Sequence, residues 1–201
     1  MKTLKKMASL TAVAAMALTM TACGGGRSTD TESGASGDQS GAAATGDVSI
    51  GIAMPQKTSQ NWVEAEDMFK ENCSDAGIDC TIQFANGGVA EQQNQISAMI
   101  ENGVKVLIIG AIDGSQLGTQ LAQAKAAGIT IIAYDRLLTN TKDIDYYIAY
   151  DNFGVGQLQG QALLEGLEAK AGDSPWDIEL FAGSPDDSNS LKFFDGAMDV
   201  L

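Results

Sequence analysis

The sequence predicts an α/β fold built on a parallel sheet, and three observations carry that prediction. From Val48 onward, short runs rich in Ile, Val and aromatic residues alternate with longer stretches of helical spacing. The same punctuation recurs three times, as Ala76-Gly77-Ile78, Asn102-Gly103-Val104 and Ala127-Gly128-Ile129. In each, a glycine able to turn left-handed closes a helix and a β-branched residue opens a strand. Finally, the apolar runs 129–134 and 146–150 each stop at a polar pair, Asp135-Arg136 and Asp151-Asn152. Both runs read as buried strands, and side chains just past their carboxyl ends would face one crevice.

Residues 1–22 read as an export signal. Lys2, Lys5 and Lys6 supply the basic start, residues 7–20 an apolar run shorter than the ~20 residues of a spanning helix, and Thr21-Ala22 precede Cys23. The pattern resembles a lipoprotein signal, in which Cys23 carries the lipid. Residues 23–47 then form a tether, since Gly, Ser, Thr, Ala and Asp with no large apolar side chain cannot build a core.

Twelve basic against 26 acidic residues give a net charge of −14, which becomes −17 once the three signal lysines are lost. That acidity disfavours nucleic acid and bare anionic membrane as partners. The chain has no histidine, which removes the common zinc sites and every His-dependent nucleophile arrangement, and no metal or cofactor is expected. Cys73 and Cys80 flank Gly77. In an oxidising compartment they would join the end of a helix to the next strand if their Cα atoms lie within ~7 Å; otherwise they are two buried thiols.

The first strand spans 48–54 and breaks at Pro55. The helix after it sets Trp62, Ala65, Phe69, Cys73 and Ala76 at helical spacing, with Asn61 and Glu64 as a capping pair. Strand 81–85, helix 89–101 with Val89, Gln93, Ile96 and Ile100 on one face, strand 106–110 and helix 115–127 follow. The two runs ending in polar pairs come next, then helix 155–170, a turn at 172–175 and strand 178–181. Leu191, Phe194, Met198 and Leu201 form the apolar stripe of a last helix without a polar finish. Gly154, Gly156 and Gly160 give GxGxxxG, the wrong spacing for a dinucleotide fingerprint, and read instead as a crossover between lobes.

The strand-end pairs offer two carboxylates, a guanidinium and an amide, a set suited to a neutral polyol: carboxylates accept from hydroxyls and Arg donates to oxygens. The competing reading is a surface ion pair at Asp135-Arg136 and a turn at Asp151. Trp62, in the first turn of its helix, either stacks on the C–H face of a pyranose or is simply core. Asp113 either contacts a ligand or caps the following helix, the safer reading. Gln56 and Lys57 in the first loop are weaker candidates.

AYDR, a short loop, then DYYIAYDN before a helix resembles the monosaccharide-binding proteins of bacterial ABC importers, in the xylose-binding and multiple-sugar-binding branch. Residues 183–189, GSPDDSN, are similar to that family's GSPDDNN loop, with Ser188 replacing Asn. The family often has Arg before the Trp, where this chain has Asn61. The resemblance covers 48–201 and implies a type I periplasmic-binding-protein fold. Its two Rossmann-like lobes would be 48–150 and an incomplete one begun by 151–201, with Asp151-Asn152 at a hinge. It further implies Asn61, Trp62, Asp113, Asp135, Arg136, Asp151, Asn152, Asp187 and Asn189 as ligand-binding residues. The implied protein is a monomer held to the membrane through Cys23 that delivers sugar to ABC permease subunits. Relatives are substantially longer, and this chain reads as an N-terminal fragment that binds weakly alone.

Two other classes compete. A carbohydrate hydrolase would use Asp135 and Asp151 as its carboxylate pair, although Arg136 would depress the acid. A sugar-sensing regulator would need a DNA-binding helix pair where the tether stands. A role as sugar-loaded partner of a membrane receptor is compatible with transport.

Overall fold

A computed structural model of the chain describes residues 48–171 and 175–201. The expected signal segment, Cys23, the whole of the expected tether and residues 172–174 of the expected turn lie outside them. Five strands, β1 (Ser49–Met54), β2 (Asp79–Phe84), β3 (Val106–Ile109), β4 (Thr130–Tyr134) and β5 (Tyr146–Ile148), form one sheet in the order β2-β1-β3-β4-β5. All four pairings are parallel. Strand order therefore reverses between β1 and β3, and in open α/β sheets ligands bind beyond the carboxyl ends at such a switch point.

Helices α1 (Gln60–Ala76), α2 (Val89–Glu101) and α3 (Gly118–Ala126) make the crossovers. Alternation along β1 divides the core: Ile52 and Met54 meet Trp62 and Ala65 of α1 on one face, and Ala53 joins Ile96, Met99, Leu107, Ile131 and Leu121 on the other. The three glycine junctions close as the sequence requires. Gly77, Gly103 and Gly128 have φ of +63°, +77° and +74°. Each donates to a carbonyl three residues back, and the following residue donates five back, the paired bonds of a Schellman motif. The Cys73–Cys80 disulfide is formed, with the Cα atoms 6.1 Å apart, and staples α1 to β2.

Several local expectations are corrected. Ser59, not Asn61, is the N-cap of α1, and no side chain caps it; Glu64 instead accepts from Gln60 Nε2 at 3.3 Å. The buried face of α2 is Gln92, Ile96 and Met99, one step from the Val89-Gln93 register. β5 is an edge strand with all three residues exposed, because no further strand among the described residues pairs with it. Residues 178–181 form no strand.

Helix α4 (Asn152–Ala171) begins before the GxGxxxG glycines, so these lie inside a helix and not in a crossover. Gly156 and Gly160 are the packing surface for α5 (Ser188–Val200): a Cβ at Gly156 would overlap the Phe193 carbonyl, and one at Gly196 the Phe153 carbonyl, while Gly154 faces the Asp151 carboxylate. α5 thus buries Gly196, while Leu191, Met198 and Leu201 of the expected stripe stay exposed.

Candidate functional site

β4 ends at Tyr134, and Asp135 takes a φ of +63°, a conformation that short polar side chains tolerate better than most. Its N–H still donates to the Ile148 carbonyl of β5 at 2.8 Å. The turn carries Asp135 and Arg136 off the sheet at its carboxyl edge.

Arg136 reaches back toward β3. Its Nη1 donates to the Ala111 and Ile112 carbonyls at 3.0 and 3.3 Å, Nη2 pairs with Asp187 at 2.9 Å, and Cζ sits 5.5 Å from the Trp62 ring centre. The planar fork fixes the directions in which two carbonyls and a carboxylate are held, which an ammonium on a flexible stem does not. Trp62 is 4% exposed and meets Tyr134 edge-on at 6.3 Å. It is therefore largely core, as its helical spacing allowed, with its last exposed part turned to the cavity.

The opposite wall comes from the start of α5. Asp187 is its N-cap and accepts from the Asn189 N–H at 2.9 Å. Asn189 Nδ2 donates to Asp135 Oδ1 at 3.0 Å and to the Asp135 carbonyl at 3.3 Å, and Ser188 Oγ accepts from the Leu137 N–H at 3.0 Å. The end of β4 and the cap of α5 are thus cross-linked by side chains. Burial, and then the neighbouring Asp187 carboxylate, raise the pKa of Asp135, while Arg136 and the Asn189 amide pull it back. Tyr147 donates its hydroxyl to the Asp135 carbonyl at 3.2 Å, and its pKa is raised by burial and then by Asp135 and Asp187.

Between these walls lies a cavity of about 310 Å³ that brings together Asn61, Trp62, Asp135, Arg136, Asn152, Asp187 and Asn189. Ser59, Tyr150 and Phe193 also line it. Sequence reasoning did not single them out, although Tyr150 directly precedes the Asp151-Asn152 pair and Phe193 lies one turn beyond Asn189. The cavity offers acceptors, donors and aromatic edges without a metal-binding cluster; no such cluster occurs among the described residues.

Two predicted residues fall elsewhere. Asp151 accepts from the Gly154 N–H at 3.0 Å at the start of α4 and lines an adjoining cavity, also about 310 Å³, which shares Tyr150, Asn152 and Asn189. Asp135 and Asp151 thus line adjoining cavities that have Tyr150, Asn152 and Asn189 in common. Asp113 accepts from the Ser115 hydroxyl and N–H at 2.7 and 2.9 Å, bonds that lower its pKa and shape the turn before α3. Lys57 pairs with Glu66 and lies 4.8 Å from the Phe84 ring centre. A larger cavity of about 350 Å³, lined by Leu163, Leu180, Phe181 and Phe194 among others, is mostly apolar and gives a polyol little to grip.

Comparison with known proteins agrees with this fold. The chain is 45% identical over 152 residues to the multiple sugar-binding periplasmic receptor ChvE of Rhizobium radiobacter, covering 76% of this chain and 43% of that protein. It is 37% identical to the D-xylose-binding periplasmic protein of Escherichia coli, over 77% of this chain and 45% of that one. Among solved structures, an ABC transporter solute-binding protein from Clostridium phytofermentans with bound β-D-glucose superposes with a TM-score of 0.72 at 43% identity, covering 76% of this chain and 47% of the other. A carbohydrate transporter solute-binding protein from Chloroflexus aurantiacus in complex with D-glucose gives 0.70 at 36% identity, over 76% and 44%. The chain thus spans less than half the length of these relatives. Their fold is the type I periplasmic-binding-protein fold, which the doubly wound sheet described here follows. The sequence profile of the periplasmic binding protein domain matches residues 50–201, and the chain belongs to that family.

Proposed function

We propose that this chain is the sugar-holding part of an extracytoplasmic solute-binding protein, which captures a neutral monosaccharide of the glucose, xylose, galactose or arabinose type and passes it to an ABC permease. One observation carries the reading: the cavity at the switch-point end of the sheet gathers carboxylates, amides and a guanidinium around aromatic edges. Affinity comes from desolvated hydrogen bonds to hydroxyls, and selectivity from the polar groups left unpaired when a hydroxyl is missing or inverted, about 1–3 kcal/mol each. Asp135 and Arg136 grip from the 48–150 side, Asn152 from the hinge, and Asp187 and Asn189 from α5; Asn61 and Trp62 close the floor. Asp151 and Asp113 contribute by shaping the chain at the rim. The chemistry is binding without turnover.

Residues 48–150 act as one lobe and 151–201 begin the other, with the chain around Asp151 as hinge. The basic and apolar segment before Cys23 supports export and lipid attachment there. A Cys23→Ser protein is expected to partition into the aqueous phase of a detergent separation, and its retention with the detergent would refute the anchor.

Thermal denaturation across a pentose and hexose panel, on the protein at the length of its full reading frame, tests the binding reading. A sugar at about 100 times its dissociation constant stabilises by about 2.7 kcal/mol, so the cognate sugar raises the melting temperature and most others do not. Release of product from sugar glycosides would instead establish an enzyme.

A further inference from the structure

We infer that Gln92 is a positioning residue for the cavity: from inside the core, its amide fixes the loop on which Arg136 and Trp62 are seated. This rests on the sugar-binding reading of that cavity.

Gln92 is fully buried on the face of α2 that also presents Ile96 and Met99 to the sheet. An amide in that place costs free energy unless it is fully hydrogen-bonded, and Leu or Met would fill the space without that cost. What the amide adds is direction. Its Nε2 donates to the Gly110 carbonyl at 2.8 Å, and its Oε1 accepts from the Ile112 N–H at 3.0 Å. Both partners belong to the loop leaving β3, and one side chain therefore spans three residues of backbone.

That loop is where the cavity's cation is held. Ala111, between the two residues that Gln92 bonds, and Ile112, one of those two, turn their carbonyls to Arg136 Nη1. Gly110 lies against the Trp62 ring, so that a Cβ there would sit 3.4 Å from Cζ3. Farther along, Gln93 Nε2 holds the Gln116 carbonyl at 2.7 Å, and the Gly114 carbonyl accepts from the Thr139 N–H at 2.9 Å. Successive glutamines of α2 thus pin both ends of a loop whose outer side receives residues 136–139. The α2 amide acts on the ligand only through this loop.

The test compares Gln92→Met, which keeps the volume and loses both bonds, with Met99→Ala, which opens the same core beside Gly51 and Leu107 without touching the loop. Two readouts are taken: the Trp62 indole and Arg136 guanidinium resonances, and affinity for the sugar that most raises the melting temperature. Gln92→Met is expected to shift both resonances and weaken the sugar about tenfold or more, and Met99→Ala to lower the melting temperature with the resonances in place. In an Arg136→Lys background Gln92→Met should cost less than about twofold further, because both changes act through one seat. Unmoved resonances in Gln92→Met, or losses that multiply independently, overturn the inference. If wild-type protein binds no sugar, the functional reading fails while the resonances still decide the role of Gln92. Should Gln92→Met not fold, hydrogen exchange of wild-type Ile112 decides: protection like that of the β3 amides supports the clamp, and exchange at the rate of an open loop refutes it.

Discussion

At Asp135 the left-handed turn and the half-buried carboxylate coincide, and both have measurable consequences. In an unfolded chain Asp titrates near 3.9, whereas burial raises it in the folded protein. The folded state then holds the proton more tightly, so ionised Asp135 costs stability. The cost is absent below the unfolded value, develops as pH rises toward the higher folded value, and is constant above it. Asp135→Asn keeps a residue that accepts positive φ and removes the charge. It should therefore melt above wild type at pH 7, with the difference vanishing below about pH 4, and it should bind sugar more weakly. A difference in melting temperature that does not change with pH would show that the carboxylate carries no such cost. Asp135 and Arg136 were legible because an apolar run stopped at them. Asp113 and Asp151 carried the same chemical signal, but backbone N–H groups two and three residues on claimed their carboxylates, and a short local bond of that kind leaves no trace in composition. Gln92 was silent for the converse reason, its partners lying 18 and 20 residues away.

Among the elements, strand and helix order followed from the glycine junctions, since a Schellman closure depends on local sequence alone. β5 was misjudged because apolar content does not say whether a neighbouring strand is present, and the exposed Tyr146, Tyr147 and Ile148 lie at an edge. The GxGxxxG glycines were found but assigned to the wrong job. The missing side chains of Gly156 and Gly160 let α4 and α5 approach closely, a property that spacing along one chain segment cannot reveal. Two substitutions separate packing from propensity. Gly166, also in α4, has nothing within 4 Å of a built Cβ, so Gly166→Ala should stabilise by about 0.5–1 kcal/mol through the helix preference of Ala. Gly196→Ala should destabilise by more than that gain, because its methyl meets the Phe153 carbonyl. Chemical denaturation monitored by circular dichroism reads both signs; stabilisation by Gly196→Ala would disprove the close α4–α5 contact.

For the molecule as a whole, what matters is that distant segments deliver polar ends to one place. Residues 61–62, 135–136, 152, 187 and 189 come from separate stretches of the sequence and line one cavity. Their convergence was legible only through the sheet: parallel strands put successive carboxyl ends on one side, and the reversal between β1 and β3 opens the gap there. Resemblance to sugar-binding relatives supplied the α5 wall, which the strand pattern alone could not. Isothermal titration of the full-length protein with D-glucose, D-xylose, D-galactose and L-arabinose, repeated with Arg136→Lys, tests this convergence most directly. The account predicts saturable heat with one sugar per chain and no product, weakened by about 1–3 kcal/mol when the planar fork is lost. Absence of saturable heat across the panel, or an affinity that Arg136→Lys leaves unchanged, would contradict it.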